Sequence, residues 1–199
     1  MKKAYCFDLD GTITRQEILP EISRKSDLYD EISALTEATI KGIIPFETSF
    51  LLRCRLLKDV PISEVQKVVR NIEMHEQIVN FIKERKEQCF IVTGNLDVWI
   101  KTLIEEIGCG FYSSIADFQN DSLNGVRSII NKQDAIKEIK KNFDVVVAVG
   151  DGMGDVSMFE ESDVGIAFGS VHNPIQSLIE VSDYIVFEEQ SLCRLLNTL

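Results

Sequence analysis

Asp8 and Asp10 stand one residue apart at the end of a short apolar run, within KAYCFDLDGT at residues 3–12. Side chains alternate along a strand, so acids at this spacing share a face while the backbone stays extended, and Gly11 then lets the chain turn sharply. Two carboxylates so close repel unless something positive joins them. Mg2+ is the natural candidate, because this hard cation takes oxygen ligands from one or two carboxylates and from substrate phosphates while keeping its remaining waters. Taken alone, DxDG is equally the pattern of a surface turn with solvated acids, and the rest of the chain decides between the two.

Further polar groups follow apolar runs or open a helix. CFIVT at residues 89–93 reads as a buried strand ending in Thr93, Gly94 and Asn95, and DVVVAV at 144–149 is the most strand-like run, opening into GDGMGD with Asp151 and Asp155. Lys132 falls in the first turn of a helix expected over 131–140. Parallel strands would gather all of these groups on one sheet edge. Their chemistry is complementary: one carboxylate can attack phosphorus, splitting a hard displacement into two steps, and a second can protonate a leaving alkoxide and then activate water. A hydroxyl, a backbone N–H beside a glycine and an ammonium can hold the equatorial oxygens of a phosphoryl group. Asp151 would complete the Mg2+ site. Four acids at two strand ends repel without a cation, which weighs against solvated turns.

The elements that must position these groups are strands alternating with helices, and the strands are continuous apolar runs without polar alternation. That predicts an α/β fold with a mostly parallel sheet covered on both faces, ligands gathering outside the carboxyl ends of its strands. Residues 14–73 interrupt the alternation. Ile18, Ile22, Ile32, Leu35, Phe46, Phe50 and Leu57 recur there at helical spacing, and Pro45 and Pro61 stand where helices can begin. A strand-to-helix connection usually runs to about 2–6 residues, so this stretch predicts an inserted helical cap of about four helices. The expected division is a core of residues 1–13 and 74–199 with a cap of residues 14–73. Residues 117–128 read as a hairpin turning at Asn124-Gly125. Phe46 and Ile40 read as helix-core packing with pocket lining as the alternative, Trp99 and the cysteines as packing residues, and His75 and His172 as surface residues, with the active-site rim as the alternative for His172.

Composition narrows the classes. With 45% hydrophobic and 27% charged residues the chain is of ordinary globular type, and a formal charge of -11 argues against nucleic acid or an anionic membrane as principal partner. A small anionic molecule, a phosphate ester, is the partner expected. Five widely spaced cysteines without CxxC suit reduced thiols, and no stretch reads as a signal peptide or membrane span, so a cytoplasmic location is expected. The oligomeric state is not readable.

In this order, DLDGT, IVTGN, Lys132 and VGDGMGD resemble the haloacid dehalogenase superfamily of phosphohydrolases, with its Rossmann-like core. Glu17 and PFETSFLLRCRLLKDVP at residues 45–61 extend the likeness to the cap of the phosphoserine phosphatases within it. The resemblance implies Asp8 as nucleophile, Asp10 as general acid and base, and Asp8, the Asp10 carbonyl and Asp151 as ligands of Mg2+. It implies phosphate binding by Thr93, Gly94 and Lys132, support of the metal and lysine by Asp155, and contact of Glu17 and Arg53 with the amino and carboxylate groups of a phosphoserine-like substrate. Arg53 paired with Glu47 is the structural alternative for that arginine. Gly11, Asn95 and Gly154 depart from the usual pattern and bear on substrate identity. A phosphatase for another small alcohol, amine or sugar phosphate is the alternative. A phosphorylated receiver domain fits poorly, lacking a reason for so long an insertion, and a catalytically dead scaffold is disfavoured by the intact acids and lysine.

Overall fold

A computed structural model describes residues 1–199. Its elements are β1 (Lys3–Phe7), α1 (Ile18–Ser23), α2 (Tyr29–Ile40), α3 (Phe46–Leu57), α4 (Ile62–Arg70), α5 (Glu76–Glu84), β2 (Cys89–Leu96), α6 (Asp97–Ile107), β3 (Gly110–Gln119), β4 (Ser122–Ser128), α7 (Lys132–Lys140), β5 (Val145–Gly150), α8 (Val156–Glu161), β6 (Val164–Phe168), α9 (Gln176–Glu180), β7 (Tyr184–Val186) and α10 (Glu189–Thr198). The seven strands form one sheet in the order β4-β3-β2-β1-β5-β6-β7. All neighbours pair in parallel except β3 and β4. This is the mostly parallel, helix-flanked α/β sheet expected from the apolar runs.

Both faces are buried. Tyr5, Phe7, Ile91, Val147 and Val149 face α5, α6 and α10 in one apolar cluster, while Ala4, Cys6, Val92, Val146 and Ala148 face α7, α8 and α9 in another. Period-two alternation on each strand thus feeds two cores, and neither face needs polar residues. β1 is central, with Phe7 beside Ile91 of β2 and Val149 of β5. The connections run opposite ways from β1, so the carboxyl ends of β1, β2 and β5 flank the crevice where such sheets bind ligands.

The 14–73 insertion contains α1 to α4. Prolines set two of its starts: Pro45 and Pro61, each with φ near -55°, stand immediately before α3 and α4. The chain leaves and returns through adjacent segments, with Arg15 N donating to Glu73 O and His75 N to Ile13 O, at 2.8 and 2.9 Å. Apolar residues of the insertion, among them Ile18, Ile22, Phe50 and Val65, join the cluster on the sheet's first face. α4 is fastened further. Gln66 donates to Val98 O of α6 at 2.7 Å, and Asp121 accepts from both N and Oγ of Ser63 at 2.7 Å, capping α4 from another part of the chain.

Two sequence expectations change. The hairpin turns at Asn120-Asp121, where Asn120 has φ +54°, and not at Asn124-Gly125; Gly125 lies within β4 opposite Asp117. The Asn-Gly signal is local, whereas the turn's place also serves the Asp121 cap on α4. His75 is buried, not on the surface: it is 1% exposed, its Nδ1 lies 2.7 Å from Glu189 Oε2, and its ring packs edge-on against Phe168. No helix is long and apolar enough to cross a membrane.

Candidate active site

Asp8 directly follows β1 and prolongs its ladder, its N–H donating to Val149 O at 2.8 Å. The buried side chain accepts through Oδ1 from Lys132 Nζ at 2.6 Å. Lys132 can reach it because it opens α7, whose start is capped by Asn131 Oδ1 accepting from Asp134 N. The same ammonium donates to Asp155 Oδ1 at 2.7 Å. The other Asp155 oxygen accepts from the N–H groups of Asp151 and Gly152, at 3.0 and 3.1 Å, so this carboxylate clamps the turn after β5 onto the lysine. A side chain at Gly150 would run into the Asp155 carboxylate, and one at Gly11, with φ +69°, into that of Asp151.

Asp151 is 4% exposed, and its Oδ2 is buried without a hydrogen-bond partner. A desolvated, unpaired carboxylate oxygen is costly, so it points to a missing positive partner. Ligand atoms of Asp8, Asp151 and Asp155 all lie within 4.8 Å of one another. With both Asp155 oxygens engaged, Asp8 and Asp151 are left to hold a cation, and the acidic cluster can bind a metal ion. The electrostatics agree. Burial pushes Asp8 up from the ordinary 3.8 to about 7, against the pull of Lys132 and with the help of Asp155. Asp151 is held well above the usual range by burial, then by Asp8 and Glu17, and Asp10 by burial, then by Glu17 and Asp8. Burial alone would lower Lys132, but Asp155 and Asp8 hold its ammonium above the ordinary range.

Asp10 is fixed at two points: Oδ1 accepts from Ile18 N at the start of α1, at 2.8 Å, and Oδ2 accepts from Asn95 Nδ2. β2 carries Thr93, Gly94 and Asn95 through an irregularity that shifts its register beyond Val92. The ring of Phe46 occupies the place a side chain at Gly94 would need, so α3 comes down directly over this loop. Thr93 is fully buried behind the loop, its Oγ1 accepting from Asn95 N at 3.2 Å.

Asp8, Asp10, Asp151 and Lys132 line a single cavity of about 940 Å3, and Glu17 and Arg53 of the insertion line it too. The structure therefore brings together every predicted site residue except Thr93, which sits just outside the lining, and Asp155 belongs to the same wall. Arg53 forms no ion pair with Glu47. It is 5% exposed and donates from Nη1 to Thr36 Oγ1 at 2.9 Å and from Nε to Ser49 O at 3.3 Å. Burial lowers its guanidinium from the ordinary value, while Glu17 and Asp10 oppose that shift. Phe46 and Ile40, expected as packing residues or pocket lining, do line the cavity.

Three neighbours have no partner at the site that the sequence alone gives. Asn95 touches Asp10, Thr36 holds Arg53, and His172 Nε2 lies 3.0 Å from Glu17 Oε1 and 4.0 Å from Asp151 Oδ2. Asn95 carried the only local signal, an amide where a strand opens into a polar loop. The others meet their partners across 17 and 155 positions of sequence.

Residues 6–160 match the family model of haloacid dehalogenase-like hydrolases. The chain is 32% identical to a phosphoserine phosphatase of Methanocaldococcus jannaschii over 84% of this chain and 85% of that protein. It is 29% identical to a phosphoserine phosphatase of Archaeoglobus fulgidus over 94% of this chain and 57% of that one. Among solved structures, a phospho-aspartyl intermediate analogue of phosphoserine phosphatase superposes over 100% of this chain and 99% of its own, with TM-score 0.84 and 27% identity. A substrate-bound phosphoserine phosphatase complex matches with the same TM-score and coverage. Acids and lysine meeting where β1, β2 and β5 end, a match spanning most of the sequence, and this closeness of fold lead to one conclusion: the chain belongs to the haloacid dehalogenase-like hydrolase family.

Proposed function

We propose that this chain is a Mg2+-dependent phosphoric monoester hydrolase that cleaves O-phosphoserine through an aspartyl-phosphate on Asp8. One observation carries the reading: Asp8 shares its cavity with a carboxylate and a guanidinium, Glu17 and Arg53, suited to the two ends of an amino acid. The relatives named phosphoserine phosphatases support the same substrate.

In the first half-reaction an Asp8 carboxylate oxygen attacks phosphorus, the P–O bond to the serine oxygen breaks, and Asp10 delivers its proton to that oxygen. In the second, Asp10 takes a proton from water as the water oxygen attacks phosphorus, the Asp8–phosphoryl bond breaks, and inorganic phosphate leaves. Lys132 and the Gly94 N–H stabilise the phosphoryl oxygens. Thr93, buried behind the loop, accepts from Asn95 N through its Oγ1 and so braces the backbone that presents the Gly94 N–H. Asp8 and Asp151 would hold Mg2+, whose charge reduces repulsion between nucleophile and phosphate. Arg53 and Glu17 meet the substrate carboxylate and ammonium. The direct test compares O-phosphoserine with O-phosphoethanolamine, which lacks the carboxylate. Wild type should favour the first in kcat/KM, and equal values would contradict the substrate assignment.

Metal binding should depend on pH in a definite direction. A carboxyl whose pKa is raised by folding contributes stability below its unfolded value, and that contribution is lost as pH rises through the folded one, here from 3.8 through about 7 for Asp8. A cation must displace the same protons, so Mg2+ should stabilise the fold more as pH rises across this window. At a concentration 100 times Kd the gain is about 2.7 kcal/mol. Thermal unfolding with and without Mg2+ reads it, and a pH-independent gain would contradict the assignment of Asp8 and Asp151.

The insertion acts as a cap, residues 14–73 closing over the core of residues 1–13 and 74–199 to exclude water. Phe46 against Gly94, Ile40 near Gly152 and Met153 at Gly42 are the contacts that close the cavity. Since α4 is fastened to α6 and to Asp121, movement should be confined to α1 to α3. On adding Mg2+ and a phosphate-mimicking fluoride, amide hydrogen exchange should slow in α2 and α3 and stay constant in α4. Equal slowing in α4, or none anywhere, would contradict this division.

A further inference from the structure

Asn95 is a buried amide, 3% exposed, and the two half-reactions leave it without a task. Its backbone N–H is tied to Thr93 Oγ1 at 3.2 Å, and its Nδ2 lies 3.4 Å from the same oxygen. That Nδ2 also donates to Asp10 Oδ2. In the structure the amide turns its NH2 side to Asp10, whose Oδ2 accepts from it just as Oδ1 accepts from Ile18 N. The cost lies on the other side: Asn95 Oδ1 is buried and has no partner. A residue with no polar side chain would avoid that cost, so the arrangement makes sense if the donation to Asp10 is what the position supplies.

From this we infer that Asn95 is a positioning residue for Asp10, fixing the plane of the acid–base carboxylate against the phosphate-binding loop. The inference rests on Asp10 acting as acid and base in the reaction proposed above. The other restraint on Asp10 comes from Ile18 N in the insertion, at 2.8 Å. Without Asn95, the carboxylate would be oriented from the cap side alone and could rotate about that single hydrogen bond. Asn95 ties it to β2, the strand whose loop holds the phosphoryl group, so proton donor and reacting phosphorus share one rigid support. Asn95 meets Asp10 and leaves Arg53 and Glu17 alone, so its effect belongs to proton transfer and not to recognition of the amino-acid end.

The test separates leaving groups. An alkoxide needs the proton from Asp10, whereas 4-nitrophenolate departs without it. In Asn95→Ala, rapid-quench phosphoenzyme formation from O-phosphoserine should slow ~10- to 100-fold, part of the ~100- to 10,000-fold expected when a general acid is removed outright. Formation from 4-nitrophenyl phosphate should change by less than about 3-fold, since no general acid is needed there, and KM for O-phosphoserine should hold. Asn95→Asp, nearly isosteric, places an anion against Asp10 and should widen the split; it carries the same comparison should the alanine variant fail to fold. Equal slowing on both substrates would show a merely structural role, and unchanged rates on both would show none, and either overturns the inference. Wild type run alongside keeps the two levels apart: no phosphoenzyme in wild type would overturn the reaction scheme, and this inference with it.

Discussion

Asp8→Asn should lower turnover of every phosphate monoester by on the order of 10⁴- to 10⁶-fold, the scale seen when residues of a nucleophilic unit are removed. The amide is a poor nucleophile and a poorer ligand for a hard cation, so attack and charge compensation are lost together. The fold should survive. Asp8 is held in place by its backbone bond to Val149 as much as by its side chain, and an amide in its place no longer has to be ionised against Asp155 and Asp151. A variant with unchanged unfolding and no turnover is therefore expected, read by thermal denaturation and by phosphate release. Residual activity within tenfold of wild type would mean that another group attacks phosphorus.

The second large effect belongs to Arg53. Its guanidinium is already oriented, with Nη1 on Thr36 and Nε on Ser49 O, so little freedom remains to be lost when a carboxylate arrives. Truncating one partner of such a desolvated charged pair costs about 2–5 kcal/mol. Converted at 1.36 kcal/mol per tenfold, that is roughly 30- to 5,000-fold in kcat/KM. Arg53→Ala should impose this loss on O-phosphoserine and spare a small aryl phosphate with no carboxylate. Lysine should recover only part, being a point charge without the fork. Equal loss on both substrates, measured by steady-state kinetics, would assign Arg53 to holding α2 against α3.

What could be read in the sequence was whatever chemistry stays local. The runs before Asp8, Thr93 and Asp151 announce buried strands because continuous apolarity is what a two-sided sheet demands, and the acids at their ends follow from strand geometry. The prolines before α3 and α4 mark helix starts by fixing φ, again a local matter. Pairings across the sheet were a different problem. Asn95 reaches Asp10 over 85 positions and Asp121 caps α4 over 58, and nothing local to either residue names its partner. His75 looked like a connecting-segment residue. Its burial follows from Glu189 and Phe168, which only the folded return of α10 and β6 brings alongside. Thr93 shows a middle case: the strand end was legible, but the register shift after Val92 turns its hydroxyl toward Asn95 and behind the cavity wall.

The central claim, that Asp8 takes the phosphoryl group from O-phosphoserine, is tested most directly by trapping the intermediate. Wild type mixed with Mg2+ and O-phosphoserine labelled in its phosphoryl group, then quenched in acid within a single turnover, should carry covalent label. Hydroxylamine should release that label, as it does from an acyl phosphate, and peptide mapping should place it on Asp8. Asp8→Asn should carry none. Turnover of O-phosphoserine without any covalent label, or label on a residue other than Asp8, would contradict the account.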